Sequence, residues 1–118
     1  MFVGTDITVI ARFDKMVEKF GNKAYKRFLN DEEIALVKTT TTAAGFWAAK
    51  EAVSKALGCG IGAELSFHDI IIKKSIKNKP LLVFCDEVKK KFSIKQSSLS
   101  ISHDGGFAIA VVIIEVDI

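Results

Sequence analysis

The stretch TAAGFWAAKEAVSKALGCGIG, residues 42–62, decides the fold of this chain. Its first part is rich in alanine, which has the highest helix propensity of all residues, and it predicts a helix over Thr42–Leu57. Glycines then alternate with other residues from Gly58 to Gly62, where they permit backbone conformations that other residues avoid. We therefore expect the longest helix of the protein to end in a glycine-rich loop.

The residues before this helix predict one strand and two shorter helices. Residues 2–10 alternate loosely between apolar and polar side chains, which is typical of a strand. Apolar residues recur at helical spacing over 13–20, and Gly21 follows as a helix stop. A further helix over 30–37 is expected to begin at one of its first two residues, both of which are good N-caps.

The residues after the glycine-rich loop are mainly strand-forming. Asp104-Gly105-Gly106 lies between two apolar runs and is a strong hairpin signal, and Asp86–Phe92 predicts a short helix. The expected strands lie at residues 70–72, 81–84, 98–102 and 107–116. Because helices gather in the first half and strands in the second, we expect an α+β fold in which the long helix packs on an antiparallel sheet. The 118 residues are 49% apolar and contain no linker-like segment, which predicts a single domain, residues 1–118.

The charge distribution favours an anionic partner without indicating nucleic acid. A formal net charge of +3 is too small to predict nucleic-acid binding by itself. Basic residues nonetheless cluster at 15–27 and at 73–79. Each cluster is either a solvated face or a binding surface for an anionic ligand or an acidic protein.

No feature of the sequence predicts secretion or membrane insertion. Asp6 follows only five residues, so a signal peptide is not expected, and no apolar run approaches the about 20 residues that span a bilayer. Cys59 and Cys85 do not form a zinc-type pair and are too few for a disulfide framework. We therefore expect a soluble, cytoplasmic protein with reduced thiols and no membrane partner.

Glu51 and Lys55 are four residues apart on the predicted helix, so they project from the same face. Such a pair is often only a surface salt bridge. The alanines around it, however, leave room for a ligand or another backbone to come close. If the first strand lies beside the helix, Asp6 and Glu51 could hold magnesium, which prefers oxygen ligands together with substrate phosphates. Lys55 would then neutralise phosphate charge, and backbone amides of Gly58–Gly62 could add donors to the same anion.

A set of short motifs extends in order from Val3 to Glu115. The motifs are Gly4-Thr5-Asp6-Ile7 with Arg12, Ala48-Ala49-Lys50-Glu51-Ala52, Lys55-Ala56-Leu57-Gly58-Cys59-Gly60-Ile61-Gly62, Leu65-Ser66-Phe67, Ser100-Ile101-Ser102-His103 and Ala108-Ile109-Ala110-Val111-Val112. Together they closely resemble the short bacterial holo-acyl-carrier-protein synthases, and the resemblance covers nearly the whole chain.

The resemblance implies a transferase that moves 4'-phosphopantetheine from coenzyme A onto a serine of apo-acyl carrier protein, a step that serves fatty acid biosynthesis. It implies a homotrimer with active sites at subunit interfaces. It assigns catalysis to Asp6, Glu51 and Lys55, with magnesium held by the two carboxylates. Binding of the carrier protein would fall to Arg12, Lys15 and Lys19. The residues implied in coenzyme A binding are Lys55, Gly58, Gly60, Gly62, Lys79, Pro80, Ser102 and His103.

Three positions depart from the family pattern. Phe46-Trp47 stands where the family often has Arg-Phe, so one phosphate-binding arginine is missing, and Lys50 or another lysine is expected to replace it. Asn78-Lys79-Pro80 stands where Gly-Lys-Pro is usual, at the expected adenine contact of a neighbouring subunit. Cys59 stands where threonine is common, and we interpret it as a small loop residue, since no histidine lies near it in sequence to activate a nucleophile.

Several alternatives stay open from the sequence alone. His103 precedes an Asp-Gly turn, so turn hydrogen bonding is an alternative to a phosphate contact. The proton acceptor of the reaction is either a metal-bound water or Glu51. The alternative to an enzyme is a non-catalytic oligomeric module that uses its basic faces to hold an acidic protein or a nucleotide.

Overall fold

The computed structural model describes residues 1–117, whose helices and strands form two antiparallel sheets and four α-helices. Two 3₁₀ segments, Gly21–Arg27 and Phe67–Asp69, connect some of them. In chain order the elements are β1 (Phe2–Val9), α1 (Ala11–Phe20), α2 (Asp31–Leu36), α3 (Thr40–Leu57), β2 (Ile71–Lys74), β3 (Pro80–Val83), α4 (Asp86–Phe92), β4 (Ile94–Asp104) and β5 (Phe107–Val116).

The larger sheet has the strand order β1-β5-β4, and α3 packs across one of its faces. The predicted hairpin joins β4 to β5, and Gly105 and Gly106 both have positive φ at its turn. Strands β2 and β3 form a separate two-stranded hairpin that packs beside β4. The predicted α+β arrangement of a long helix on an antiparallel sheet is confirmed. Within residues 1–117, no helix combines the length and the apolar character that a membrane span requires.

Strand β5 is apolar on both faces. Its even-numbered residues from Ala108 to Ile114 are buried beneath α3. Its odd-numbered residues Phe107, Ile109, Val111 and Ile113 are apolar as well, but each is exposed on the opposite face of the sheet. The sheet therefore presents an apolar outer face in addition to the face that forms the core.

Some element boundaries differ from the sequence prediction. Strand β4 begins at Ile94, four residues before the predicted start at Ser98. The sequence gives no strand signal for these first residues, because Lys95–Ser98 are polar and show no alternation. A β-bulge between Ile94 and Gln96 adds a further irregularity. The segment Gly21–Arg27 is a 3₁₀ helix, whereas the sequence predicts no element there. Its residues lack a clear apolar period, which is the signal that the other helices carry.

Gly4 sets the distance between β1 and α3. A Cβ at this position would lie 1.9 Å from the Ala52 carbonyl oxygen and 2.7 Å from the Ala56 amide nitrogen. No side chain fits there, so strand and helix pack backbone against backbone. Because Asp6 shares the face of β1 that carries Gly4, its side chain also faces α3, where it accepts a hydrogen bond from Lys55.

Gly4→Ala is expected to lower the free energy of unfolding by about 3 kcal/mol, since the added methyl group must push a strand away from rigid helix backbone. Chemical denaturation measures this change. Gly62→Ala is the matched control, because a Cβ at Gly62 meets nothing within 4 Å. Equal stability of the Gly4 variant and the control would show that β1 and α3 are not packed this closely.

Candidate active site

Asp6 and Lys55 meet where β1 crosses the last turns of α3. The Lys55 ammonium donates a hydrogen bond to Asp6 Oδ1 at 2.8 Å. The Asp6 side chain is only 12% exposed, whereas that of Lys55 is 53% exposed, so the lysine reaches over the carboxylate from the solvent side. The alternative that Lys55 forms a surface ion pair with Glu51 is wrong, because its ion-pair partner is Asp6, 49 residues away in sequence.

Glu51 belongs to the same cluster of charges. Burial raises the pKa of its carboxyl group, and the nearby Asp6 carboxylate raises it further. The positive charges of Lys55 and Arg12 act in the opposite direction and lower it. Two carboxylates and two cations therefore lie close together, and the cations only partly offset the repulsion between the carboxylates. A cation placed between Asp6 and Glu51 would relieve that repulsion.

The donor set of this cluster fits magnesium. Among residues 1–117, no group of three or more histidine, cysteine, aspartate or glutamate side chains could enclose a metal ion. Magnesium does not need such a cage, since one or two carboxylates commonly hold it while water and substrate phosphates complete its coordination. Asp6 and Glu51 supply such a pair of carboxylates. Zinc, which usually has at least three protein ligands, would not be satisfied here.

Lys55 is suited to hold negative charge on a substrate. Its hydrogen bond to Asp6 is the main cause that raises the pKa of the Lys55 ammonium, so the group stays protonated at neutral pH. It lies in the last turn of α3, where the negative end of the helix dipole also favours a cation. An exposed ammonium group on a flexible stem can turn from Asp6 to an incoming phosphate.

The backbone amides of Gly58, Gly60 and Gly62 in the glycine-rich loop have acceptors inside the protein. Gly58 adopts a left-handed conformation with φ 77°, and its N–H donates to the Lys55 and Ser54 carbonyl oxygens. The Gly60 N–H also donates to Ser54, and the Gly62 N–H donates to Leu65. The bonds from Gly58 and Gly60 satisfy carbonyl groups that the end of α3 leaves free, whereas the bond from Gly62 closes the loop. The expectation that backbone amides of Gly58–Gly62 add donors to a bound anion stays a prediction. The loop leaves open space for such a ligand, since a Cβ at any of the three glycines would meet no atom within 4 Å.

Ser102 and His103 are neighbours on β4 but face opposite sides of the sheet. His103 lines a groove of about 300 Å³ between β4 and the start of α3, together with Phe46 and three threonines. Ser102 lies on the outer face. No lysine or arginine is among the residues that line this groove.

Lys79 and Pro80 belong to the β2–β3 hairpin, which is a separate sheet from the one that contains β1. Lys79 is in the turn of the β2–β3 hairpin and Pro80 is the first residue of β3. No hydrogen bond or ion pair between described side chains joins either residue to Asp6 or Glu51.

The three basic residues predicted to bind a carrier protein lie on α1. Lys15 and Lys19 are exposed to solvent. Arg12 is exposed too, but its guanidinium group is stacked on aromatic rings and its charge acts on Glu51. Arg12 is thus the member of the three that lies next to the carboxylate cluster.

Comparison with known proteins assigns the chain to a family. The family model described as the 4'-phosphopantetheinyl transferase superfamily matches residues 2–112. The chain belongs to this superfamily. The holo-[acyl-carrier-protein] synthase of Nautilia profundicola is 62% identical over 112 residues, which cover 95% of this chain and 97% of that protein. The synthase of Aliarcobacter butzleri is 59% identical over 111 residues, which cover 94% of each chain.

A solved structure agrees with this assignment of the chain to the phosphopantetheinyl transferases. The crystal structure of Helicobacter pylori holo-[acyl-carrier-protein] synthase in complex with coenzyme A superposes on this chain with a TM-score of 0.92. The two sequences are 52% identical, and the match covers 96% of this chain and 99% of the other. The superposition therefore extends over nearly the whole chain.

This phosphopantetheinyl transferase contains a buried ion pair that the sequence did not predict. Lys50 is fully buried, and its ammonium group donates to Glu33 Oε1 at 2.9 Å, to the Phe28 carbonyl at 2.8 Å and to the Phe67 carbonyl at 3.0 Å. Glu33 also accepts from the backbone N–H groups of Asn30 and Ile72. Burial lowers the pKa of Lys50, and the bond and charge of Glu33 oppose that shift.

The ion pair overturns one expectation about the missing arginine. All three donors of the Lys50 ammonium have acceptors inside the core, so Lys50 cannot replace a phosphate-binding arginine.

Burial raises the pKa of the Cys59 thiol in this transferase, which agrees with its interpretation as a loop residue rather than a nucleophile.

Proposed function

We propose that this protein transfers the 4'-phosphopantetheine group of coenzyme A to a serine of apo-acyl carrier protein, giving holo-acyl carrier protein and adenosine 3',5'-bisphosphate. The observation that carries the proposal is the meeting of Asp6, Glu51 and Lys55 at a solvent-accessible junction of β1 and α3. A pyrophosphate substrate needs positive charge for compensation. Two carboxylates can hold a magnesium ion beside it, and a mobile ammonium group supplies a second cation. Family membership and the names of the relatives support the same reaction.

The chemistry assigns a separate task to each of these side chains. Transfer forms a bond from the serine oxygen to the β-phosphorus of coenzyme A, breaks the bond from that phosphorus to the departing 3',5'-ADP oxygen, and releases the serine hydroxyl proton to a base. Negative charge grows on the departing group, and the Lys55 ammonium stabilises it. Asp6 and Glu51 would hold magnesium, which neutralises charge on the pyrophosphate when it is bound. Gly58, Gly60 and Gly62 are proposed to leave an unobstructed surface for coenzyme A, and His103 to contact a phosphate from its groove.

Intact-mass spectrometry tests the proposed reaction. The protein is incubated with apo-acyl carrier protein, coenzyme A and magnesium, with and without a chelator. We expect the carrier to gain the mass of one phosphopantetheine in a reaction that stops with chelator. A carrier that binds but gains no mass would instead support the non-catalytic binding module.

We infer that the active assembly is a homotrimer, and the apolar outer face of the larger sheet supports this inference. Seven large apolar side chains of β1 and β5 are exposed on that face, which is unusual for a surface that faces only water. They are Val3, Ile7, Val9, Phe107, Ile109, Val111 and Ile113. The proposed contacts of Lys79, Pro80 and Ser102 with coenzyme A then come from a neighbouring subunit. Analytical ultracentrifugation is expected to give three times the 12.9 kDa of one chain, and a monomer mass at assay concentration would refute the trimer.

The proposed location is the cytoplasm. Cys59 and Cys85 are both free thiols, a state that a reducing compartment maintains.

Lys55→Met is expected to lower turnover by about 10²- to 10³-fold, because the variant keeps the aliphatic stem but loses the cation that faces the departing group. Steady-state kinetics with coenzyme A varied measure this loss. We expect the Michaelis constant for the carrier protein to change much less, since Lys55 does not lie on α1. Kinetics that match the parent enzyme would leave Lys55 without a role beyond its bond to Asp6.

Arg12→Glu is expected to raise the Michaelis constant for acyl carrier protein by about tenfold or more, because it turns a cation of the docking surface into a charge that repels an acidic partner. The constant for coenzyme A should change little. Higher salt should weaken carrier binding by the parent enzyme and narrow the difference between the Michaelis constants of parent and variant. Salt screens these charges, since the Debye length is about 8 Å at physiological ionic strength. Lys15→Glu and Lys19→Glu should act in the same direction more weakly. A change in coenzyme A binding alone would place the docking surface elsewhere.

A further inference from the structure

Trp47 lies in a cluster of aromatic rings between α1 and α3. Its ring centroid is 5.1 Å from that of Phe28 and 5.8 Å from that of Phe13, and both contacts are edge-to-face. The Phe67 ring lies 4.7 Å away at a tilt of 40°. Three neighbours therefore hold the indole in one orientation, while part of its surface stays accessible to solvent.

The Arg12 guanidinium group covers part of this ring. Its central carbon lies 4.9 Å from the Trp47 ring centroid and 5.4 Å from that of Phe13. Both distances are within the range of a cation–π interaction, and tryptophan is the strongest aromatic partner for a cation. Arg12 makes no ion pair with any described carboxylate, so these rings are its main contacts.

The position of Trp47 links the ring to the proposed chemistry. Trp47 and Glu51 are four residues apart on α3 and so lie on the same face of the helix. Arg12 approaches this face from α1 and acts on Glu51 through its charge. The ring thus holds the guanidinium group at the boundary between the proposed carrier-docking surface and the carboxylate cluster.

We propose that Trp47 is a positioning residue for carrier-protein recognition, which holds the Arg12 guanidinium group in place for an acidic side chain of the incoming carrier. The inference rests on the proposed function, since it concerns the docking of the same substrate. An arginine on an exposed helix otherwise samples many rotamers, and fixing it before binding removes part of the entropy that docking costs. Trp47 therefore acts on the carrier through Arg12.

Fluorescence of the free protein tests the contact itself. Trp47 is the single tryptophan of the chain, so emission excited at the long-wavelength edge of its absorption, where Tyr25 does not absorb, reports on this ring alone. Arg12→Met is expected to change the emission intensity or maximum, because it removes a cation from the ring face. Lys15→Met, a change of the same kind on the same helix, should leave the emission unaltered. Equal spectra for the parent and Arg12→Met would show that the guanidinium group is not held on the ring, and would overturn the proposal.

A double-mutant cycle tests the consequence for recognition. Trp47→Leu is expected to raise the Michaelis constant for the carrier about two- to fivefold, the range of an exposed cation–π contact, and Trp47→Phe should restore most of the loss. In an Arg12→Ala background, Trp47→Leu should have no further effect on carrier binding. Thermal melting and the Michaelis constant for coenzyme A detect a general packing defect. Should Trp47→Leu act equally in both backgrounds, the ring works independently of Arg12 and the proposal is wrong.

The outcomes separate this inference from the proposed function. If the parent protein adds no phosphopantetheine to the carrier, the proposed function itself fails. If the parent is active and Arg12→Ala impairs carrier binding while Trp47→Leu does not, only the positioning role fails.

Discussion

Glu51→Gln is expected to lower transfer by about a thousandfold or more while it raises thermal stability in metal-free buffer near neutral pH. The amide keeps the shape of the side chain but cannot supply the charge that binds magnesium, and loss of metal-assisted charge stabilisation is worth several kcal/mol in the transition state. The gain in stability has a separate cause. It follows from the raised pKa of the Glu51 carboxyl group.

The sign of the stability change follows from linkage between protonation and folding. Burial and Asp6 raise the pKa of Glu51 in the folded state above its value in the unfolded chain. Its contribution to stability is therefore fully present below the unfolded-state pKa and is lost as the pH rises through the folded-state pKa. At neutral pH the ionised Glu51 carboxylate lowers the stability of the folded state, and glutamine removes this effect. The stability difference between variant and parent should shrink as the pH falls through the raised pKa.

Thermal melting across a pH series, in chelator, measures this difference, and activity across a magnesium titration measures the catalytic loss. Magnesium with coenzyme A should stabilise the parent but not the variant, since only the parent binds the metal. Glu64→Gln, at an exposed position, should change neither quantity. Near-normal turnover of Glu51→Gln at ordinary magnesium would remove Glu51 from the metal site, and a stability loss at neutral pH would contradict the raised pKa.

Much of the fold could be predicted because its elements carry regular signals. Alanine content and the terminal glycines mark α3, and the Asp104-Gly105-Gly106 turn marks the β4–β5 hairpin. The start of β4 could not be predicted, because its first residues are polar and are held in the strand by backbone pairing with β5. Backbone pairing leaves no trace in the pattern of side chains.

The candidate site was predictable for a different reason. The spacing of Glu51 and Lys55 placed them on one face, but their approach to Asp6 depended on whether β1 lies beside α3. Gly4 is the residue that allows this, and its need for close packing is visible only once the helix is in place. The sequence could not predict that the amides of Gly58, Gly60 and Gly62 bond to carbonyl groups within the protein, since glycine content alone does not identify hydrogen-bond partners.

The Lys50–Glu33 pair was missed because an isolated lysine in a sequence is normally an exposed residue. Two signals were present. Lys50 is surrounded on α3 by the alanines and valine that form the buried face, and Glu33 stands three residues after Asn30 in the pattern of a capping box. The single carboxylate of Glu33 thereby caps α2, bonds to the backbone of β2 and neutralises Lys50. Three parts of the chain, represented by Phe28, Glu33 and Phe67, thus bond to Lys50, the residue that precedes Glu51.

Lys50→Met is expected to lower the free energy of unfolding by about 3–5 kcal/mol, the range for removing one partner of a buried ion pair. Methionine fills much of the volume, but the Glu33 carboxylate loses its counter-charge in the core, and the Phe28 and Phe67 carbonyls lose their donor. Urea denaturation of the full chain measures the change.

Lys55→Met is the matched control, because it is the same substitution five residues further along the same helix. There the lysine side chain is 53% exposed, compared with 0% for Lys50, and its bond to Asp6 should contribute no more than about 1 kcal/mol. The two variants should therefore show opposite defects. Lys50→Met should lose stability but keep much of its turnover per folded molecule, whereas Lys55→Met should stay folded and lose turnover. Equal stability of the two variants would contradict the burial of Lys50, and equal turnover would contradict the role of Lys55 in phosphate transfer.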